Sequence, residues 1–343
     1  MPPSSRIVVS GRLAGVRIPD WIAAWNDLVP VRTRQSVPLP WQLDLDVLEL
    51  LTFDEGAGAK QAPPEPDAFP RIEGTIRRFR YGDKAIGAVA LRSQPVPRGL
   101  RIDWLDINGP SLQLHLAGTW KRTLLGGHRS RIELTVSSAN LGQALAKLKA
   151  PRVVEDGVLH VNAQLQWPGA LYLPDPARLD GRLQLKLTNG SFTSIDPGPA
   201  RLLGLLNLSM IPRLLGGENR KGFNFDDVDG RFELNKGDMR IAELTIRGPL
   251  ARIEMQGDVQ LADGRIDQQV TVIPNVGGSL PVATGLAFGL QVGALVALLD
   301  KLVGKDLNKA GAHKYRVTGT LEKPVVTRLD SLPAERIEED EGG

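Results

Sequence analysis

The chain has 343 residues, 42% of them hydrophobic, and a net charge of only +3, enough for two ordinary domains or one long sheet. It has no cysteine, which excludes disulfides, zinc–thiolate sites and thiol catalysis. Cations and anions are intermixed and aromatics make up only 5%, which argues against nucleic-acid binding, where cations cluster beside aromatic platforms.

Met1 to Arg6 has no apolar run behind its first cation and is not a signal peptide. Work outside the cytosol would therefore need a leader or anchor missing from this chain. Arg6 to Leu13 fits a strand. Pro19-Asp20 opens a short helix through Leu28, with Ile22, Trp25 and Leu28 on one side. Gly56 to Pro70 is rich in Ala, Pro and Gly and reads as a loop. Leu112, Leu114 and Leu116 alternate with polar residues, as do Ile132, Leu134 and Val136. Ser138 or Asn140 caps a helix running to Lys149, with Leu141, Leu145 and Leu148 in register.

Strand character strengthens further along. Leu159, Val161, Ala163, Leu165 and Trp167 alternate with His160, Asn162, Gln164 and Gln166. Leu183, Leu185 and Leu187 oppose Arg182, Gln184 and Lys186 before an Asn189-Gly190 turn signal. Ala200 to Leu215 is apolar enough to be helical, broken near Pro212. Val228 to Pro274 reads as one meander with turns at Lys236-Gly237-Asp238 and Asp263-Gly264. Within it Ile253, Met255, Val259 and Leu261 face away from Glu254, Gln256, Asp258 and Gln260. Strands with one dry and one wet face suit an antiparallel sheet. Tyr315 to Leu321 is a further strand, and 331–343 reads as a disordered acidic tail.

Residues equipped for chemistry are scarce. The four histidines, His115, His128, His160 and His313, form no His-x-x-x-His or Glu-x-x-His pair; His115 and His160 fall on polar strand faces. No metal site or cofactor is expected. Asp226-Asp227 and Asp229-Gly230 lack the alternating ligands and closing Glu of an EF-hand and read as a turn before the strand at Arg231. Gly304-Lys305 lacks the earlier glycine of a Walker A loop. Nothing assembles a nucleophile, a base and an oxyanion site, so the chain is not expected to be an enzyme.

The outstanding feature is apolar. Gln268 to Leu299 is a charge-free run of 32 residues. Eighteen helical residues span about 27 Å, slightly short of a bilayer core. Gly285, Gly289, Gly293 and Ala297 recur every four residues as a smooth packing stripe, and Leu286, Phe288, Leu290, Leu295 and Val296 lie opposite. The segment 280–304 is expected to be an apolar helical insertion, either contacting a membrane or packed on the end of the sheet.

From Leu179 onward the chain resembles the C-terminal region of the AsmA-like superfamily, in its YhdP branch. The matching residues are Gly190, Asp196-Pro197-Gly198, Arg201 to Leu206, Ile211-Pro212-Arg213-Leu214 and Gly222 to Asp226. Gly248-Pro249-Leu250-Ala251, Gly257 to Leu261, Leu280-Pro281, Tyr315 to Thr320 and Pro324 follow in order. Gly216 to Arg220 departs from the family's more apolar link. The resemblance implies a mainly β fold: a long curled antiparallel sheet forming an open apolar groove, with a few short helices and an apolar C-terminal helix. It implies a β-groove segment over 1–178 and a β-meander over 179–330. It further implies phospholipid transfer between inner and outer membranes from the periplasm, with an inner-membrane anchor missing here.

On that reading the groove is lined by Leu159, Val161, Leu165, Leu183, Leu185, Leu187, Ile253, Met255, Val259 and Leu261. Its partners are phospholipids and a membrane surface, expected to be the outer membrane, with other envelope proteins possible and no nucleic acid. The alternative is a structural or assembly protein of the envelope whose sheet is filled by its own side chains.

Overall fold

A computed structural model describes residues 7–16, 40–51, 65–193, 223–249, 251–275, 312–321 and 323–329. Fifteen strands form one sheet in which spatial order equals chain order. They are β1 (Ile7–Val16), β2 (Trp41–Leu50), β3 (Ile72–Tyr81), β4 (Lys84–Val96), β5 (Gly99–Asn108), β6 (Gln113–Arg122), β7 (His128–Ser138) and β8 (Val154–Pro168). Then come β9 (Asp180–Phe192), β10 (Phe223–Asn235), β11 (Asp238–Arg247), β12 (Ala251–Gln260), β13 (Arg265–Pro274), β14 (His313–Thr320) and β15 (Pro324–Arg328). β1 and β15 do not pair, so the sheet stays open and forms no barrel.

Local chemistry explains much of this. Lys236 and Gly237 both take left-handed φ angles, 49° and 83°, joining β10 to β11 with Asn235 opposite Asp238. That is the primed two-residue turn whose twist matches the flanking strands. The helix α1 (Leu141–Lys147) starts at Asn140, whose Oδ1 accepts from the Gln143 N–H at 2.8 Å. The cap satisfies an otherwise unpaired first-turn donor. Leu145 and Ala144 are buried, and Lys149 at φ 52° ends the run.

Three sequence expectations are corrected. The sheet is not antiparallel throughout, because β1–β2 and β2–β3 pair in parallel. Parallel neighbours need long crossovers, and the segments 17–40 and 51–71 are long enough to supply them. Asn189-Gly190 is not a hairpin turn. Both residues lie inside β9, where Asn189 at φ 57° is skipped by the pairing on both sides. The left-handed preference is used there for an irregularity within the strand. Asp226 to Gly230 is likewise strand and not turn, since β10 begins at Phe223. Phe225 and Val228 point into the core, while Arg247 neutralises Asp227 at 2.6 Å and Asp229 at 3.1 Å.

The helices expected at 19–28, 200–215 and 280–304, and the tail 331–343, lie outside the described residues. So do Leu286, Phe288, Leu290, Leu295 and Val296, and the stripe Gly285, Gly289, Gly293 and Ala297. Among the described residues no helix is long and apolar enough to cross a membrane.

Candidate functional site

The strand register carries one row of directly paired residues across the whole sheet. It starts Val9, Leu43, Gly74 and Leu91 in β1 to β4. It continues Leu105, Leu116, Leu134 and Ala163 in β5 to β8. Leu183, Phe232 and Ile241 carry it through β9 to β11, and Gly257, Gln268, Val317 and Val326 complete it. No member is charged. Because side chains alternate between faces, such a row persists only if every irregularity in pairing restores the parity. β-bulges in β3, β4, β5 and β11 do so.

Flanking rows have the same character. On one side Leu45, Ile76, Val89 and Ile107 lead to Val161, Leu185 and Met255. On the other, Ile102, Ile132 and Leu165 lead to Val259 and Ile266. A fourth row joins Leu159, Leu187, Val228, Ile246 and Ile253. The structure therefore places Leu159, Val161, Leu165, Leu183, Leu185, Leu187, Ile253, Met255 and Val259 on one face. Leu261 follows β12 and packs on the same cluster.

This dry face is not uniformly enclosed. In β10 to β14 it is sealed: Phe232 and Ile241 are 1% exposed, and Ile253, Val259, Val270 and Val317 are at 0%. In β5 to β9, Leu105, Leu116, Leu134, Val161, Leu165, Leu183 and Leu185 are only half-buried. At the strand ends near the β6–β7 hairpin the face is capped by aromatics. Trp120 sits 5.7 Å from Phe69, 5.8 Å from Tyr172 and 5.5 Å from His128, and burial raises the Tyr172 pKa.

The opposite face is polar and self-neutralising. One of its rows runs Asp44, Thr75, Ala90, Asp106, His115 and Thr135, then Asn162, Gln184, Arg231 and Glu243. Arg77 pairs with Asp44 and Asp46, Arg92 with Glu73, and Arg316 with Asp267. Hydrogen bonds from these arginines hold Glu73 and Asp267 below the usual carboxylate range. An open hollow of about 580 Å³ lies on this face between His160, Gln184, Lys186, Arg231 and Arg247. Its arginines are matched by Glu243, Asp227 and Asp229, so it is an interstice between long side chains and not an anion pocket.

The histidines form no centre. His115 Nδ1 lies 2.6 Å from Asp106, His128 rests against Trp120 and lies 3.8 Å from Glu65, and His313 contacts Arg328 at 3.1 Å. No group of three metal-ligating side chains is assembled among the described residues.

Sequence reasoning missed the contribution of β2 to β5. In β2 the signal was present, with Leu43, Leu45 and Val47 alternating with Gln42, Asp44 and Asp46. In β5 it was hidden, because the irregularity between Ile102 and Leu105 shifts the parity.

A curated relative, the intermembrane phospholipid transporter YhdP of Escherichia coli (strain K12), is 26% identical over 213 residues, which is 61% of this chain and 17% of the relative. The chain thus spans about one-sixth of that protein's length. No solved structure matches. The model of the YhdP protein family matches residues 29–326, from β2 through the uninterrupted dry rows into β15, and the chain belongs to that family.

Proposed function

We propose that this chain is one segment of a periplasmic phospholipid conduit between inner and outer membranes. Its dry face forms an apolar groove for acyl chains, leaving the headgroup in water. The observation that carries this reading is the uncharged row crossing all fifteen strands without a break. A face of this kind must be covered, closed or filled with something apolar. An acyl chain of about 16 carbons gains up to roughly 12 kcal/mol on leaving water, at ~0.8 kcal/mol per methylene. Most of that replaces burial already enjoyed in a bilayer, so passage from one membrane to another is nearly neutral and needs no covalent chemistry. The half-buried positions in β5 to β9 are where a chain would lie, and the apolar segment 280–304 would contact the outer membrane.

Native mass spectrometry of the chain purified from membranes tests the reading. Diacyl phospholipid should co-purify, and a lipid-free chain under gentle conditions would overturn it. The sealed packing of β10 to β14, with Val228, Ile246 and Ile253 at 0% exposure, favours a second reading, a structural sheet filled by its own side chains. That reading requires the same experiment to find no lipid.

A further inference from the structure

Among the described residues, two large hydrophobic side chains stand apart. Leu124 is 89% and Leu125 100% exposed, where the next, Val8 and Val325, reach 57%. They sit side by side in the turn 123–127 between β6 and β7, beyond Arg122 and His128, the last pair of the ladder. The turn is closed by hydrogen bonds: the Thr123 N–H donates to the Gly127 carbonyl at 2.9 Å, and the Thr123 hydroxyl donates to the Gly126 carbonyl. Gly126 and Gly127 take left-handed φ angles of 80° and 77°, which glycine adopts readily. A Cβ added at either would meet nothing within 4 Å, so the tip stands clear of the sheet. Turn tips ordinarily carry polar residues, and two leucines held in water forgo the burial that stabilises the rest of the fold.

Behind the tip lie cations without counter-charges. Lys121, Arg122, Arg129 and Arg131 fall between Trp120 and Ile132, a stretch with no carboxylate. Lys121 is directly opposite Arg129, and the same row continues to Gly99 on β5 and Pro168 on β8. Both side chains are exposed, and like charges directly opposite across a ladder repel. Elsewhere on the polar face Arg92, Arg247 and Arg316 each meet a carboxylate. Here Arg122 meets Glu65 and Asp67, while Lys121 and Arg129 enter no ion pair among the described residues.

We propose that the β6–β7 hairpin docks on an anionic lipid bilayer, with Leu124 and Leu125 entering the acyl layer and Lys121 and Arg129 meeting headgroup phosphates. The order of groups along the hairpin selects the partner. A bilayer offers anions at its surface and hydrocarbon beneath, and the hairpin reaches in with leucines ahead of cations. A stable protein interface takes about 800 Å² from each partner, more than the tip of one turn offers. Leu173, 47% exposed in the β8–β9 connection, adds apolar surface at the same strand ends. The segment 280–304 leaves the sheet between Pro274 and His313, at the opposite strand ends. The hairpin is therefore a separate contact, and it stands without the conduit reading.

The chain has no cysteine, so L125C in the full chain carries a single environment-sensitive fluorophore. On vesicles of equimolar phosphatidylcholine and phosphatidylglycerol its emission should brighten and shift to the blue, and a quencher on the lipid acyl chains should dim it. The same label in T135C, exposed mid-strand on the polar face, should behave as in water. Serine at Lys121 or at Arg129 should lower the partition constant read by the label at 125 about five-fold each. Leu124→Ser should lower it at least about ten-fold and leave the melting temperature unchanged, because the tip packs on nothing. A label at 125 that stays in water overturns the proposal; if the chain still sediments with the vesicles, another segment makes the contact. A label already shifted to the blue without vesicles would mark the tip as covered by protein and overturn it too, as would cation variants that partition like wild type.

Discussion

Glutamate at Leu116 and at Met255 should have opposite consequences, although both positions face the same side of the sheet. Met255 is 2% exposed on β12, and its replacement forfeits about 1.5–3 kcal/mol of burial. A glutamic acid there must stay protonated to remain inside. At pH 7, against an ordinary pKa near 4.3, that costs about 3.7 kcal/mol, and its unpaired oxygens add roughly 1–3 kcal/mol. The total approaches the whole stability of a typical domain, ~5–15 kcal/mol. Met255→Glu should therefore open β10 to β14 at neutral pH. The buried carboxyl has a raised folded-state pKa, so the loss should be smallest below about pH 4.3 and grow as pH rises. Leu116 on β6 is half-buried, so a glutamate there reaches water at a cost of no more than about 1.5 kcal/mol, but sets a charge where an acyl chain would lie. Hydrogen exchange at pH 5 and pH 7, with phospholipid retention counted by native mass spectrometry, reads both effects. The reasoning is refuted if Met255→Glu keeps wild-type protection at pH 7, or if Leu116→Glu retains lipid as wild type does.

Leu290→Asp should abolish liposome binding without lowering the sheet's melting temperature, since a mid-helix charge costs about 2.5–3.5 kcal/mol on insertion scales; global unfolding would instead mark 280–304 as core. Gly257→Ala should cost more than about 1 kcal/mol in denaturant titration, because φ is +135° and an added Cβ would meet the Asp267 carbonyl oxygen at 2.3 Å. The hydrogen bond from Arg316 depresses the Asp267 pKa, so its small stabilisation is present above about pH 4 and is lost as pH falls through the lowered value. Both partners are more than half exposed, so Asp267→Asn should cost well under about 1 kcal/mol at pH 7 and remove that acid-limb dependence in melts. Alanine at His115 or His160, both exposed on the polar face, should leave lipid retention unchanged; a loss in a folded variant would reopen a chemical role.

The period-two runs were the legible part of the fold. Leu183, Leu185 and Leu187 fix both the existence of β9 and its dry side, because one face of water and one of hydrocarbon leaves no other register. Asn140 fixes the start of α1 through its cap. What was not legible depends on long-range pairing. The parallel entry of β2 beside β1 and β3 leaves no mark in strand composition. In β5 the buried Ile102 shares a face with Leu105 and Ile107 only because a bulge lies between Ile102 and Leu105. Asn189-Gly190 misled because the left-handed conformation that Asn tolerates is used inside β9, at a position the pairing skips on both sides without a change of register. Gln268 showed in the sequence only as the first residue of a charge-free run, and its place on the dry face follows from Ile266, Val270 and Val272 around it.

Because each strand pairs only with the strands before and after it in the chain, reach is set by strand number. At about 4.8 Å per strand, fifteen strands extend roughly 67 Å along the hydrogen-bonding direction. Adding or removing one hairpin changes that distance by about 10 Å and leaves the other pairings as they were. The dry rows survive the change, since each hairpin carries its own alternation. The length of a protein built this way can be tuned by duplication or loss of hairpins, with no redesign of its interior.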